Sequence, residues 1–137
     1  MTTKTVKQFT VPCYDKPGAL GKIVETLGKA GVNVTGISTY AAGPVAYITF
    51  TADPAEKVEP ALKTANYQVF TNETLAIELP NKPGELGKVC QILGQEGINI
   101  QNLFGFSGNS PSATLVLSVD QYDKAEKLLA ELTAAVA

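Results

Sequence analysis

The stretch DKPGALGKIV at residues 15–24 returns as NKPGELGKVC at residues 81–90, an offset of 66 residues, and the same offset carries AGVNV at 30–34 onto EGINI at 96–100. After a one-residue insertion the offset becomes 67, which aligns Asp53, Lys57, Glu59 and Leu62 with Asp120, Lys124, Glu126 and Leu129. A repeat of about half the chain means that one small fold is built twice.

Within each copy the apolar spacing selects the elements. Leu20, Ile23, Val24 and Leu27 match Leu86, Val89, Cys90 and Leu93, an i, i+3, i+4, i+7 series that makes one buried helix face. These helices carry Pro17 and Pro83 in their first turn and close at Gly31 and Gly97, which suit a left-handed cap. Half-buried strands precede them (TVKQFTVPC, ETLAIELP), and strand pairs follow: NVTGISTY with VAYITFTA, and NIQNLFGF with ATLVLSV. Second helices are expected after Asp53 and Asp120 as N-caps, with Pro60 kinking or shortening the first of them. ANYQVFT supplies a fourth strand to copy one, whereas the matching LTAAVA of copy two leaves that strand short or missing and an edge that must be covered or paired. The predicted architecture is α+β: two ferredoxin-like βαββαβ units in tandem, residues 1–71 and 72–137, each an antiparallel sheet with its helices on one face.

Composition narrows the chemistry. At 45% hydrophobic the chain is globular, and no apolar run reaches the ~18 residues of a membrane span. The opening MTTKTVKQF has no secretory pattern, so a cytoplasmic location is expected. A net charge of −2 without basic runs argues against nucleic acid and membrane surfaces as partners. The chain has no His, and its eleven basic residues are all Lys. The usual general base, the commonest nitrogen metal ligand and the bidentate carboxylate fork are therefore missing together. Cys13 and Cys90 lack CxxC spacing and read as free, buried thiols, so neither a metal nor another cofactor is expected.

The turn before each first helix carries the chemistry. Asp15 or Asn81 can cap the helix, Pro sets φ, and Gly relaxes the backbone, an explanation that needs no ligand. The other reading starts from the unpaired N–H groups of a helix N-terminus, which seat a carboxylate. Without Arg, the donors would be the amides of Gly18, Ala19 and Leu20, or of Gly84, Glu85 and Leu86. An ammonium would use the side-chain oxygens of Asp15, Asn81, Asn33 or Asn99.

Strand, DKPGAL or NKPGEL, amphipathic helix, then GVNV or GINI: the pattern resembles the ACT domain, and doubled it resembles tandem ACT-domain proteins from about Lys4 to Leu129. The resemblance implies a ferredoxin-like fold and a regulatory module that binds a small molecule, most often an amino acid, and controls a metabolic enzyme. It implies ligand contacts at Asp15, Pro17, Gly18, Ala19 and Leu20 and at Asn81, Pro83, Gly84, Glu85 and Leu86. It adds the strand residues Asn33 and Asn99, each serving the neighbouring module's turn. Asp15 against Asn81, and Glu85 against Ala19, make the two sites inequivalent, and a homo-oligomer is expected.

Two rivals remain at this stage. An enzyme would need a nucleophile–base pair or metal cluster that the sequence does not offer. A ligand-free interaction module is the other, such as a regulatory subunit resembling that of acetolactate synthase.

Overall fold

The computed structural model describes residues 2–136, with side chains to residue 132. The order is β1 (Thr2–Tyr14), α1 (Ala19–Lys29), β2 (Asn33–Ala42), β3 (Val45–Asp53), a 3-10 turn (Ala55–Lys57), α2 (Val58–Thr64), β4 (Phe70–Pro80), α3 (Glu85–Gln95), β5 (Ile100–Phe106), β6 (Ser112–Val119) and α4 (Tyr122–Val136). It is an α+β fold with antiparallel strand pairing and four α-helices among the described residues. The chain divides into two compact units: an N-terminal unit of Lys7–Asn72, and a C-terminal unit in which residues 2–6 join residues 73–136.

In the N-terminal unit β3 lies between β1 and β2, in register from Phe9 opposite Phe50 to Tyr14 opposite Val45. Strand alternation sends Phe9, Val11, Ile48 and Phe50 to one face, where they meet Ile23 and Leu27 of α1 and Val58 and Leu62 of α2. The Phe9 and Phe50 rings stack with centroids 5.5 Å apart. The opposite sheet face is polar: Thr10 bonds Thr49 (3.3 Å) and Thr35 bonds Thr51 (2.8 Å). In the C-terminal unit β6 lies between β4 and β5, and Leu75, Ile77 and Leu117 pack on Val89 and Leu93 of α3 and Ala125 and Leu129 of α4. Each of the Val, Leu, Ile and Phe side chains among these contributes roughly 1.5–3 kcal/mol by leaving water.

Gly31 and Gly97 end α1 and α3 as expected. Gly31 (φ 79°) donates to Gly28 O (3.0 Å) and Val32 to Leu27 O (3.0 Å), and Gly97 (φ 73°) and Ile98 repeat the pattern on Gly94 (3.0 Å) and Leu93 (2.9 Å). This is a Schellman closure, with Val32 and Ile98 buried just beyond it.

Two expectations change and two narrow. Asp53 does not cap a helix: it is the last residue of β3, paired with Asn33, and α2 starts only at Val58. Asp120 spends its Oδ1 on Asn99 N–H (2.9 Å) instead of on α4. Pro60 shortens rather than kinks, falling in the first turn of a seven-residue α2 where its missing N–H costs nothing, against fifteen residues in α4. Residues 132–136 form no strand; they continue α4, whose Ala-rich sequence favours helix.

The edge of the C-terminal unit is completed from the other end of the chain. Residues 2–6 of β1 cluster with this unit beside β4, Val6 O accepts from Thr74 Oγ1 (2.8 Å), and Thr5 Oγ1 donates to Glu126 of α4 (3.0 Å). The N-terminal unit repeats the arrangement with residues 70–72 of β4, where Thr71 Oγ1 donates to Glu59 of α2 (2.5 Å). Thr5 and Thr71 stand at the repeat offset, as do Glu59 and Glu126. The same threonine–glutamate clasp thus fastens the fourth strand in both units, and β4 serves one unit with its first residues and the other with the rest.

Candidate ligand-binding site

After Tyr14 the N-terminal strand is pinned by Asp15 N–H on Pro44 O (2.9 Å), and Lys16–Pro17–Gly18–Ala19 then turns the chain into α1. Ala19 N–H returns to Lys16 O (3.2 Å) with Gly18 at φ 86° and ψ −9°. That is a type II turn, which takes Pro at its second position and needs a positive φ at its third. The C-terminal unit builds the same turn: Asn81 N–H on Pro111 O (2.9 Å), Glu85 N–H on Lys82 O (3.4 Å), and Gly84 at φ 86° and ψ −14°.

Two expectations are corrected by this geometry. Asp15 and Asn81 cap nothing: the N-caps are Gly18 and Gly84, neither helix start has a side-chain cap, and Pro17 and Pro83 stand outside the helices. Of the amides singled out in sequence, those of Ala19 and Glu85 are spent inside the turns. Lys22 N–H closes on Gly18 O (3.0 Å) and Lys88 N–H on Gly84 O (3.1 Å), so the amides left without a backbone acceptor are those of Gly18, Leu20 and Gly21, and of Gly84, Leu86 and Gly87. A Cβ on Gly18 or Gly84 would meet nothing within 4 Å, so each glycine serves its backbone angle and the space outside it is open.

Each turn borders a cavity. In the N-terminal unit it measures about 640 Å³, walled by the end of β1 (Pro12, Cys13, Tyr14), the turn with Lys16, Pro17, Gly18 and Ala19, Lys22, Val45, and residues 66–68. In the C-terminal unit it measures about 220 Å³ and includes Asn81, Lys82, Glu85 and Leu86, facing Gly105, Phe106 and Ser107. Small-ligand sites commonly run from about 300 to 1,000 Å³, a range that holds the first cavity and excludes the second.

The remaining predicted residues divide. Asn81 Nδ2 donates to Ser110 O (2.8 Å) and Gly108 O (3.4 Å), so it braces the β5–β6 loop. Glu85 pairs with Lys88 (3.2 Å). Asn33 and Asn99 are exposed and border neither cavity; each follows the far end of its unit's first helix, about 16 Å along the axis from the turn. Cys13 and Cys90 are free thiols but half-buried rather than buried, and Cys13 lies on the larger cavity's wall.

Of the N-terminal residues named from sequence, Asp15 and Leu20 lie outside the lining, and Tyr14, Lys16, Lys22 and residues 66–68 were missed. Residues 66–68 reach the cavity because Asn66 (φ 66°) and Tyr67 close α2 in the same Schellman pattern, with Asn in place of Gly: Asn66 N–H on Lys63 O (3.0 Å) and Tyr67 N–H on Leu62 O (2.9 Å). An Asn just past a helical stretch was the available signal. Among the described residues no group of His, Cys, Asp and Glu could hold a metal ion, and no helix is long and apolar enough to cross a membrane.

Residues 10–65 match the model of the ACT domain. The matched stretch contains the first turn, Asn33 and most of the larger cavity's wall. No curated protein sequence matches the chain. A crystallised protein from Bacteroides thetaiotaomicron is 26% identical, covering 96% of this chain and 90% of that one, with a TM-score of 0.88. The ligand-free regulatory subunit of aspartate kinase from Thermus thermophilus is 17% identical, with 90% of each chain covered and a TM-score of 0.65. The same subunit from Thermus flavus is 18% identical, with 100% and 98% covered and a TM-score of 0.63. The Thermus subunits share the ACT-like α+β fold with this chain.

Proposed function

We propose that the chain is a pair of ACT modules acting as an amino-acid-sensing regulator of a metabolic enzyme, with the N-terminal cleft as its principal ligand site. The observation that carries the reading is the uncapped start of α1, where Gly18, whose amide has no backbone acceptor, lines a cavity of about 640 Å³ and the free amides of Leu20 and Gly21 follow it in the chain. A carboxylate there gains N–H donors and the positive end of the helix dipole. The apolar wall of Pro12, Pro17 and Val45 offers contact to a small side chain. The ACT match over residues 10–65 and the fold shared with aspartate kinase regulatory subunits support a regulatory role rather than a catalytic one. Asn33 and Asn99 border neither cavity and enter the proposal through the family resemblance alone, as residues that a neighbouring module brings to the turn; on that reading Asn→Ala changes there should weaken binding without changing the melting temperature of the free protein.

A thermal-shift screen against the twenty amino acids tests the reading. A ligand at 100 times its dissociation constant adds about 2.7 kcal/mol of stability, visible as a selective rise in melting temperature. A flat response to all twenty would contradict it and favour the ligand-free interaction module.

A further inference from the structure

The two cavities differ in charge as well as in size. The larger is lined by Lys16 and Lys22, with neutral polar groups from Tyr14, Tyr67, Asn66 and Gln68, and by no carboxylate; Asp15 lies beside Lys16 but outside the lining. Lys29, Lys63 and Lys88 are each paired with a glutamate, whereas Lys16 and Lys22 have no ion-pair partner among the described residues. The smaller cavity is lined by Lys82 and Glu85, so its charges cancel.

Two uncompensated cations on a concave wall concentrate anions and disfavour cations. An ordinary zwitterionic amino acid brings one negative group and one ammonium. The ammonium finds only neutral acceptors here, and two lysine charges face it. A ligand with two carboxylates instead places one at the turn and the other against the lysines. We infer that the N-terminal cleft recognises a small dicarboxylate, with or without an amino group, and that Lys16 and Lys22 are the specificity-determining residues. The inference rests on the sensor reading above and names its ligand class.

Calorimetric titration of the full chain with succinate, glutarate, aspartate and glutamate, against leucine and lysine, with inorganic phosphate and sulfate as anion controls, tests it. Dicarboxylates are expected to bind at least about tenfold more tightly than leucine or lysine, since two exposed charge pairs together amount to about that factor. Lys16→Gln with Lys22→Gln should remove this preference and leave the free protein's melting temperature unchanged, because both side chains are exposed. Lys82→Gln should alter nothing. Tighter binding of leucine or lysine would overturn the dicarboxylate assignment and leave the sensor reading intact. Phosphate or sulfate matching the dicarboxylates would also overturn it, reducing the cleft to a simple anion seat. Failure of every compound to bind would overturn the sensor reading and the ligand class together.

Discussion

The two units use the same turn, glycine angle and free amides, yet the cleft beside the first turn is of ligand size and the one beside the second is not. In the N-terminal unit the wall opposite the turn is the segment 66–68 that follows a short α2. In the C-terminal unit it is the end of β5 and the loop after it, with Phe106 and Ser107, and Asn81 is tied into that loop. Duplication preserved the backbone device and let its surroundings diverge. A turn motif therefore marks where a site can be, and the second wall decides whether one exists.

Four predictions bear on that comparison, beginning with the largest effect. Leu27 and Leu93 are equivalent and fully buried, so Leu27→Ala and Leu93→Ala should each cost about 2–5 kcal/mol in urea denaturation. Widely different costs would break the equivalence of the two cores. Next, a Cβ on Gly105 would lie 2.3 Å from Leu115 Cδ2 and 2.5 Å from Thr114 O, while its repeat counterpart Thr39 is exposed. Gly105→Ala should cost roughly 1–3 kcal/mol, and Thr39→Ala less than about 0.5 kcal/mol. Equal losses would show that the difference between the hairpins has no energetic weight.

Gly18→Val and Gly84→Val come third. Both force a β-branched residue to φ 86°, at about 1–2 kcal/mol of strain each. Ligand affinity, read by calorimetry, should fall sharply for Gly18→Val and hold for Gly84→Val; the reverse pattern would move the site to the other unit.

The smallest effect is that of pH on the strand clasps. Thr71 and then Lys63 hold the Glu59 carboxyl below its ordinary 4.5. Hydrogen bonds from Tyr122 and then Thr5 do the same for Glu126. A depressed folded value means that the stabilisation is present above pH 4.5 and fades as pH falls through the lower folded values. Thr5→Val and Thr71→Val should each flatten this acid-side decline in melting temperature. A decline unchanged in both variants would show that the clasps carry none of it.

Much of this was legible in sequence because it is local. The helix faces, the glycine closures at Gly31 and Gly97 and the hairpins follow from spacing within a few residues. The caps were misjudged at Asp15 and Asp53 because a residue able to cap was taken for one in position. Asp15 lies before a type II turn, and Asp53 ends a strand five residues ahead of Val58. The completing strand of the C-terminal unit had no local signature, since Thr5 meets Glu126 across 121 positions. Only the repeat register, which puts Thr5 on Thr71, could have suggested it. The larger cavity's far wall was hidden for the same reason, because residues 66–68 reach Lys16 only through the fold.

The most direct measurement is an amide NMR titration of the full chain with small carboxylates and amino acids. Binding at the N-terminal cleft predicts that the Gly18, Leu20 and Gly21 amides shift most, with Gly84, Leu86 and Gly87 stationary. Saturable binding that leaves Leu20 and Gly21 unmoved would contradict it.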